Sequence, residues 1–481
     1  MSIRGLPVSE VKRTAIMLGL TVALSGCINL APRYERPQSP VDAEWHAPAD
    51  TPGAQTAQGN AAAALQWEQF FQSEKLRQLV GLALQNNRDL RVATLNVERA
   101  QALYRVQRAD RFPSISANGS MDRGRMPADI SPAGGRVTET YSASVGAAFE
   151  LDLFGRVHNL SRAALEDYFA QQSTQRSVRI SLISQIARTY LMLANEQALH
   201  QLALDTQKNQ AEWFSLTEQR HRLGAVSQLQ LSQAETTVEN ARVDVARTEG
   251  NIAQDINALN VLVGSTVPSE LLPTAQDAGE QFLSQIPVGL PSEVLLDRPD
   301  ILAAEHALRA ANANIGAARA AFFPSISLTG STGYISNELS GLFDSDNRTW
   351  SFTPGISLPI FQGGRLAANA AAARVERDIA LARYEQSIQT GFREVSDALA
   401  LSDSLARQRA AQQRLVNAAA KVFELSQARK EMGQDSYLLV LDAQRNHYAA
   451  EQVLIATRLR ELSNLVSLYE ALGGGQDLSA P

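Results

Sequence analysis

Residues 141–153 read Tyr-Ser-Ala-Ser-Val-Gly-Ala-Ala-Phe-Glu-Leu-Asp-Leu, and the period-two pattern in this stretch decides the fold. Tyr141, Ala143, Val145, Ala147, Phe149, Leu151 and Leu153 fall on one face of an extended chain, with Ser142, Ser144, Gly146, Ala148, Glu150 and Asp152 on the other. The pattern returns further along, where Trp350, Phe352, Pro354, Ile356, Leu358 and Ile360 alternate with Ser351, Thr353, Gly355, Ser357 and Pro359. Shorter partners, Ser114 to Met121 and Ser325 to Ile335, precede the two long runs. The intervening stretches, Asp122 to Glu139 and Ser336 to Arg348, are polar and read as loops. The sequence therefore predicts two hairpins, with strands at about 113–122 and 140–153 and again at about 324–335 and 349–361.

Strands of about ten residues, apolar on one side and small-polar on the other, fit a transmembrane β-strand with one face to lipid and one to water. A half-buried hairpin of a soluble sheet has the same period. Two observations favour the membrane: Tyr141 and Trp350 stand at strand ends as interfacial anchors do, and the chain begins with a membrane address. Four strands cannot close a barrel, and open edges are not tolerated in lipid. The chain must then associate. Two copies would give eight strands around a filled lumen, and three would give twelve around a water-filled passage.

The address lies in residues 1–26, read as a signal peptide. Arg4, Lys12 and Arg13 form its basic region and Thr14 to Leu24 its apolar region, too short to span a bilayer as a helix. Leu24-Ser25-Gly26-Cys27 resembles a bacterial lipobox, which makes Cys27 the lipidation site and the mature N-terminus. Position 28 is Ile rather than the Asp that retains such lipoproteins at the inner membrane, so sorting to the outer membrane is expected. Residues 27–64, rich in Pro, Ala, Gln and Gly beyond Pro37, read as a lipidated tether with little to bury.

Composition narrows the classes further. At about 150 residues per domain, 481 residues would suggest about three globular domains, but an internal duplication overrules that count. Forty-four Lys and Arg against fifty Asp and Glu leave a net charge of −6, which argues against nucleic acid as a partner. A mean hydropathy of −0.17, with no long apolar run, excludes a helical membrane protein. A single cysteine excludes a disulfide framework and a cysteine-based zinc site.

The duplication is visible residue by residue. Asp89 to Ser116 reappears as Asp300 to Ser327, each copy closing on Phe-Pro-Ser-Ile-Ser, at 112–116 and 323–327. Leu151-Asp152-Leu153-Phe154-Gly155-Arg156 returns as Leu358 to Arg365 with two extra residues, and Leu223-Gly224 as Met432-Gly433. The repeats are placed at 65–264 and 290–473, with a proline-containing connector at 265–289 and a tail at 474–481. After each hairpin comes a very long helix, 156–222 and 365–431, followed by a returning helix at 226–262 and 435–470. The first contains neither proline nor glycine and would span roughly 100 Å at about 1.5 Å per residue. Val238, Ala241, Val245, Thr248, Ile252, Asp255, Leu259 and Leu262 step by three and four, as in a coiled coil. Gly224 and Gly433 mark the two hairpin tips, where glycine supplies the left-handed residue that ends a helix.

Asn86-Asn-Arg-Asp-Leu90, the two Phe-Pro-Ser-Ile-Ser blocks, Leu-Asp-Leu-Phe-Gly-Arg, Leu295-Leu-Asp-Arg-Pro-Asp-Ile301 followed by Ala303-Ala304-Glu305, and Val440-Leu-Asp-Ala-Gln-Arg445 together resemble the TolC-type outer membrane factors. Within them the chain is similar to the lipoprotein branch that serves multidrug efflux pumps. The resemblance implies a mainly α fold with a transmembrane β-barrel: a homotrimer in which twelve strands continue into a twelve-helix periplasmic tunnel. It implies a lipid-anchored protein of the bacterial outer membrane that extends into the periplasm, with a periplasmic adaptor and an inner-membrane pump as partners. It implies no catalytic site and no cofactor beyond the lipid on Cys27.

A search for chemistry agrees with that expectation. The six histidines lack His-Glu-x-x-His spacing, and neither a phosphate loop nor a Gly-x-Ser-x-Gly elbow is present. Glu150 and Asp152 share the polar face of a strand, where solvated lumen charges are the simpler reading. By position in the family, Asp442 corresponds to an acidic ring at a periplasmic gate, Leu438 to its apolar constriction, Arg445 to a basic partner and Ser436 to a polar contact. Leu229 and Gln233 are the first-repeat equivalents of Leu438 and Asp442. Leu439 stands where some members carry a second aspartate, which puts a double acidic ring in question. Asp442 and Arg445 also read as a simple surface pair three residues apart. Three functions stay in play: an efflux duct, an exit duct for secreted polypeptides, and an enzyme or structural lipoprotein. The lipobox favours the first over the second, and the hairpins argue against the third.

Overall fold

The computed structural model describes residues 29–43, 45, 66–127, 136–277 and 292–475. The signal peptide, Cys27, most of the tether, part of the connector and the end of the tail lie outside them. In chain order the main elements are α1 (Glu74–Asn86), α2 (Arg88–Ala109), β1 (Ser114–Met126), β2 (Arg136–Leu151), α3 (Arg156–Arg222), α4 (Gln228–Val263), α5 (Pro299–Ala320), β3 (Ser325–Ser336), β4 (Arg348–Ser357), α6 (Arg365–Glu431) and α7 (Tyr437–Ala471). No helix among the described residues is long and apolar enough to cross a membrane. The chain forms two compact units. One gathers the chain before Gln38 with Val97–Gln171 and Ala304–Tyr384, and the other holds Gln38–Asn96, Gln172–Ala303 and the chain from Glu385 onward.

The first unit contains one antiparallel sheet in the order β1-β2-β3-β4. Its register, with Ala117 opposite Val145, Leu151 opposite Ile326 and Ile326 opposite Ile356, sorts the side chains cleanly by face. Ile115, Val145, Leu328, Phe352 and Ile356 share one side; Ser116, Ser144, Ser327, Ser331 and Ser351 share the other. Serine pairs knit the polar side, Ser120 to Ser142 at 2.9 Å and Ser331 to Ser351 at 2.8 Å. The strands β1 and β4 are edges.

Three boundaries differ from the sequence reading. The ladder between β1 and β2 runs on to Met126 and Arg136, through residues expected to be loop. Arg123 pairs with Glu139 at 2.9 Å and the Thr138 hydroxyl bonds the Gly124 carbonyl, so cross-strand polar contacts replace the lost apolar alternation. At the other end β2 stops at Leu151, because Asp152 accepts from the backbone N–H of His158 and caps α3 at 2.6 Å. The strand β4 stops at Ser357, two residues before Pro359, which has no N–H to continue a ladder.

The stretch after Cys27 is not a loose leash. Leu30 and Pro32 carbonyls accept from Arg319 and Asn312 of α5 at 3.1 and 2.8 Å, and Asn29 accepts from Asn159 at 2.9 Å. Ala31 lies against the bare backbone of Gly316, where a side chain would come within 2.7 Å of it. Tyr34 and Arg36 then reach Glu305, which is almost fully buried. Polar donors and a carbonyl-rich strap satisfy one another here, so a segment with little apolar surface is still held.

The second unit is built around an apolar core. Phe70, Phe71, Leu76, Leu79 and Val80 pack with Ile183, Ile186, Tyr190 and Leu193 of α3, Leu259 and Val263 of α4, and Val466 and Tyr469 of α7. Phe70 stacks on Tyr469 with centroids 4.4 Å apart. The motif residue Asn87 caps α2 through the Leu90 N–H and donates to the Leu262 carbonyl at 2.8 Å. Gly264, at φ +78°, ends α4 where a Cβ would run into the Asn86 carbonyl. In the Arg-Pro-Asp motif, Arg298 is buried and forks onto Asp300 at 3.0 and 2.8 Å. It also donates to Glu394 at 2.9 Å and to the Ala471 carbonyl at 2.7 Å, tying the start of α5 to α6 and α7.

Candidate functional site

The gate candidates sit where the two helical hairpins fold back. Both turns use the same device. Gly224 and Gly433 take φ of +74° and +76°, and the residue after each donates back five positions, Ala225 to Arg220 and Gln434 to Arg429. Ser227 then starts α4 with a reciprocal capping box to Gln230. Ser436 is the residue before α7 and makes no side-chain cap. The returning helices consequently begin at Gln228 and Tyr437, two residues later than the sequence suggested.

Asp442 and Arg445 are brought together at 2.8 Å, and Asn446 donates to the same carboxylate at 3.4 Å. All three lie on one exposed surface of α7; within this chain the pair is an open i,i+3 contact. Leu438, one turn earlier, is 62% exposed and Leu229 is 68% exposed, both far more open than a leucine facing its own core. Gln233 is half-buried. No side-chain hydrogen bond among the described residues joins the Leu229–Gln233 pair to the Leu438–Asp442 pair.

What the sequence did not flag is a closed set of contacts beside this exposed surface. The Lys430 ammonium, on the last turn of α6, sits 3.4 Å from the centroid of the Trp213 ring on α3. Tyr437, the first residue of α7, stacks on the same indole with centroids 5.0 Å apart. Burial pulls the Lys430 amine below its ordinary value, with the nearby Arg220 acting in the same direction, and pushes the Tyr437 phenol up. Arg429 grips Asp435 across the turn at 2.7 and 3.1 Å. Higher up, the Tyr448 hydroxyl of α7 donates to Asp244 of α4 at 2.9 Å. A tryptophan and a tyrosine near tips of otherwise Ala- and Gln-rich helices were the signal available.

The sheet of the first unit presents the other candidate surface. The apolar face of the sheet is bare, with Ile115 76%, Trp350 78%, Phe352 63% and Ile356 74% exposed. Its strands, of ten to sixteen residues, are long enough to suit lipid. Among the described residues no group of His, Cys, Asp and Glu could hold a metal ion.

Comparison with known proteins gives a consistent result. The family model for outer membrane efflux proteins matches twice, at residues 79–265 and 290–474, one match on each repeat. The chain is 46% identical over 468 residues to the probable efflux pump outer membrane protein TtgC of Pseudomonas putida, covering 96% of each chain. It is 45% identical over 469 residues to the outer membrane protein OprJ of Pseudomonas aeruginosa, again covering 96% of each. Among solved structures it is similar to the open state of the MtrE outer membrane channel of Neisseria gonorrhoeae, with a TM-score of 0.83, 36% identity, and 93% and 98% of the two chains covered.

Proposed function

Since this chain belongs to the outer membrane efflux protein family, we propose that three copies of it close a twelve-stranded barrel and form the exit duct of a tripartite pump. It is an outer membrane efflux channel protein. The observation that carries the trimer is the open sheet. Four strands leave β1 and β4 as bare edges, and a lipid-facing surface with bare edges is not stable in a bilayer. Pairing β1 of one copy with β4 of the next removes every edge, and twelve strands leave a lumen lined by the serine and threonine face.

Lipid on Cys27 fixes the mature N-terminus to the inner leaflet of the outer membrane, and the docked strap at 29–36 then continues from that anchor. A periplasmic adaptor and an inner-membrane pump drive small toxic molecules into the tunnel, and the duct contributes no chemistry to them. The tunnel narrows at the hairpin tips, where Leu438, Asp442 and Arg445 from three copies, with Leu229 and Gln233 behind them, restrict passage. Their exposure in the single chain is what residues facing an axis between copies require.

Deleting the gene and following accumulation of a fluorescent efflux substrate tests the function. Accumulation rises and is restored by the intact gene; unchanged accumulation together with loss of a secreted polypeptide would replace the efflux reading with protein secretion.

A further inference from the structure

The two helical hairpins could meet at their tips through the exposed polar residues alone, yet a lysine on an indole joins them there. Lys430 is half-buried, and the neighbouring Glu431 carboxylate is a smaller influence on its amine than burial and Arg220. Its ammonium instead faces Trp213 at 3.4 Å and Tyr437 at 5.1 Å from the ring centroids. A cation over an aromatic face is attracted to the ring quadrupole, more strongly when water is partly excluded.

The turn that carries Lys430 and Tyr437 is closed by its own contacts. The turn from α6 to α7 is fixed by the left-handed Gly433, the backbone bond from Gln434 to Arg429, and the Arg429–Asp435 fork. Lys430 and Tyr437 are the two ends of that turn, so anything holding both holds the turn as a body. Trp213 belongs to α3, in the first repeat, nine residues before Arg222 closes that helix. Leu438 and Asp442 follow Tyr437 directly on α7.

We propose that Trp213 is the seat on which the second fold-back rests, that Lys430 locks it there, and that this seat sets where Leu438 and Asp442 stand. The inference deepens the gate reading above and rests on it for its consequence for passage. Trp213 and Lys430 are positioning residues: they act on the constriction through α7. The exposed Asp442–Arg445 pair lies on one helix and cannot register one hairpin against another, whereas the lysine–indole contact spans both.

The test uses the full chain carrying Cys27→Ser, which removes its only thiol, with spin labels at Glu212→Cys and Gln434→Cys, both exposed positions. Labelled chains are diluted with unlabelled ones so that distances within one chain are read. Lys430→Met keeps the apolar stem and removes the charge, Lys430→Arg keeps the charge, and Trp213→Leu removes the ring. The seat predicts a narrow distance distribution for the parent and for Lys430→Arg. For Lys430→Met and Trp213→Leu it predicts a broader one, longer by at least about 1–2 Å, the size of helix shifts at switching interfaces. Lys430→Met leaves an unbranched apolar side chain in place and removes the ammonium, so it reports even where Trp213→Leu does not assemble. A Lys430→Met distribution equal to the parent's overturns the seat. Single-channel conductance of the same variants separates the two readings: a broadened distance with raised conductance upholds both, and a broadened distance with unchanged conductance upholds the seat while refuting a gate at this tip.

Discussion

Arg36 donates two hydrogen bonds to Glu305, at 3.2 and 2.7 Å, across 269 positions of sequence. Tyr34 adds a third at 3.0 Å and Arg309 a fourth at 2.6 Å, leaving the Glu305 side chain only 3% exposed. The strap at 29–36 thus ends on a buried carboxylate that accepts four hydrogen bonds.

That cluster makes the strap pH-sensitive. Burial alone would raise the Glu305 carboxyl, but hydrogen bonding from Arg36 and the charge of Arg309 outweigh it and hold it below its ordinary value. Burial and the Glu305 charge push the Tyr34 phenol up to about 12, so it remains a donor at neutral pH. A lowered carboxyl stabilises the fold above its unfolded value, and the contribution is lost as pH falls through the folded one. A spin label at the exposed Glu35→Cys, in a chain whose only other thiol is removed by Cys27→Ser, should therefore be immobile at neutral pH and gain mobility in acid below about pH 4. Arg36→Ala should leave the same label mobile already at neutral pH, and equal mobility in the two proteins would detach the strap from Glu305.

Arg298 predicts a loss that lysine cannot rescue. Its planar fork serves Asp300 while another N–H reaches Ala471, a geometry a single ammonium cannot reproduce. Arg298→Ala should lower stability by about 2 kcal/mol, the range for hydrogen bonds to charged groups with partners still reached by water. Arg298→Lys should recover less than half of that in thermal unfolding.

Two glycines with the same backbone conformation should differ in cost. Gly224 and Gly264 have φ of +74° and +78°, but a Cβ at Gly224 meets open space and one at Gly264 meets the Asn86 backbone. Gly224→Ala should cost about 1 kcal/mol from the left-handed conformation alone. Gly264→Ala should cost clearly more, read as a larger drop in melting temperature, because overlap with backbone adds to it.

Replacing Asp442 and Arg445 together by Ala should leave folding intact. The pair is exposed and worth about 0.2–0.5 kcal/mol within one helix, and no charge is stranded when both go. Conductance in planar bilayers and entry of a bulky antibiotic should both rise. A double variant matching the parent in both assays would return the two residues to an ordinary surface pair.

Much of the fold could be read in sequence because it is periodic. The alternation at 141–153 placed the sheet faces, and the absence of proline and glycine at 156–222 placed α3. The two tip glycines were legible because left-handed termini nearly demand glycine. Where contacts are polar and long-range, pattern carries no signal: the Arg123–Glu139 rung and the Glu305 cluster are built from residues that read as loop and tether. The Trp213–Lys430 contact joins two helices whose repeats look alike along their length, so nothing local marks which side chains meet. The residues assigned to a gate lie near the starts of α4 and α7, and that assignment came from the resemblance alone.

The trimer is the claim on which barrel, tunnel and gate depend. Native mass spectrometry of the protein extracted in mild detergent from outer membranes measures it directly. The account predicts a single assembly with the mass of three lipidated chains, because only closure satisfies the edges of β1 and β4. A membrane-inserted monomer that persists as the main species would contradict it.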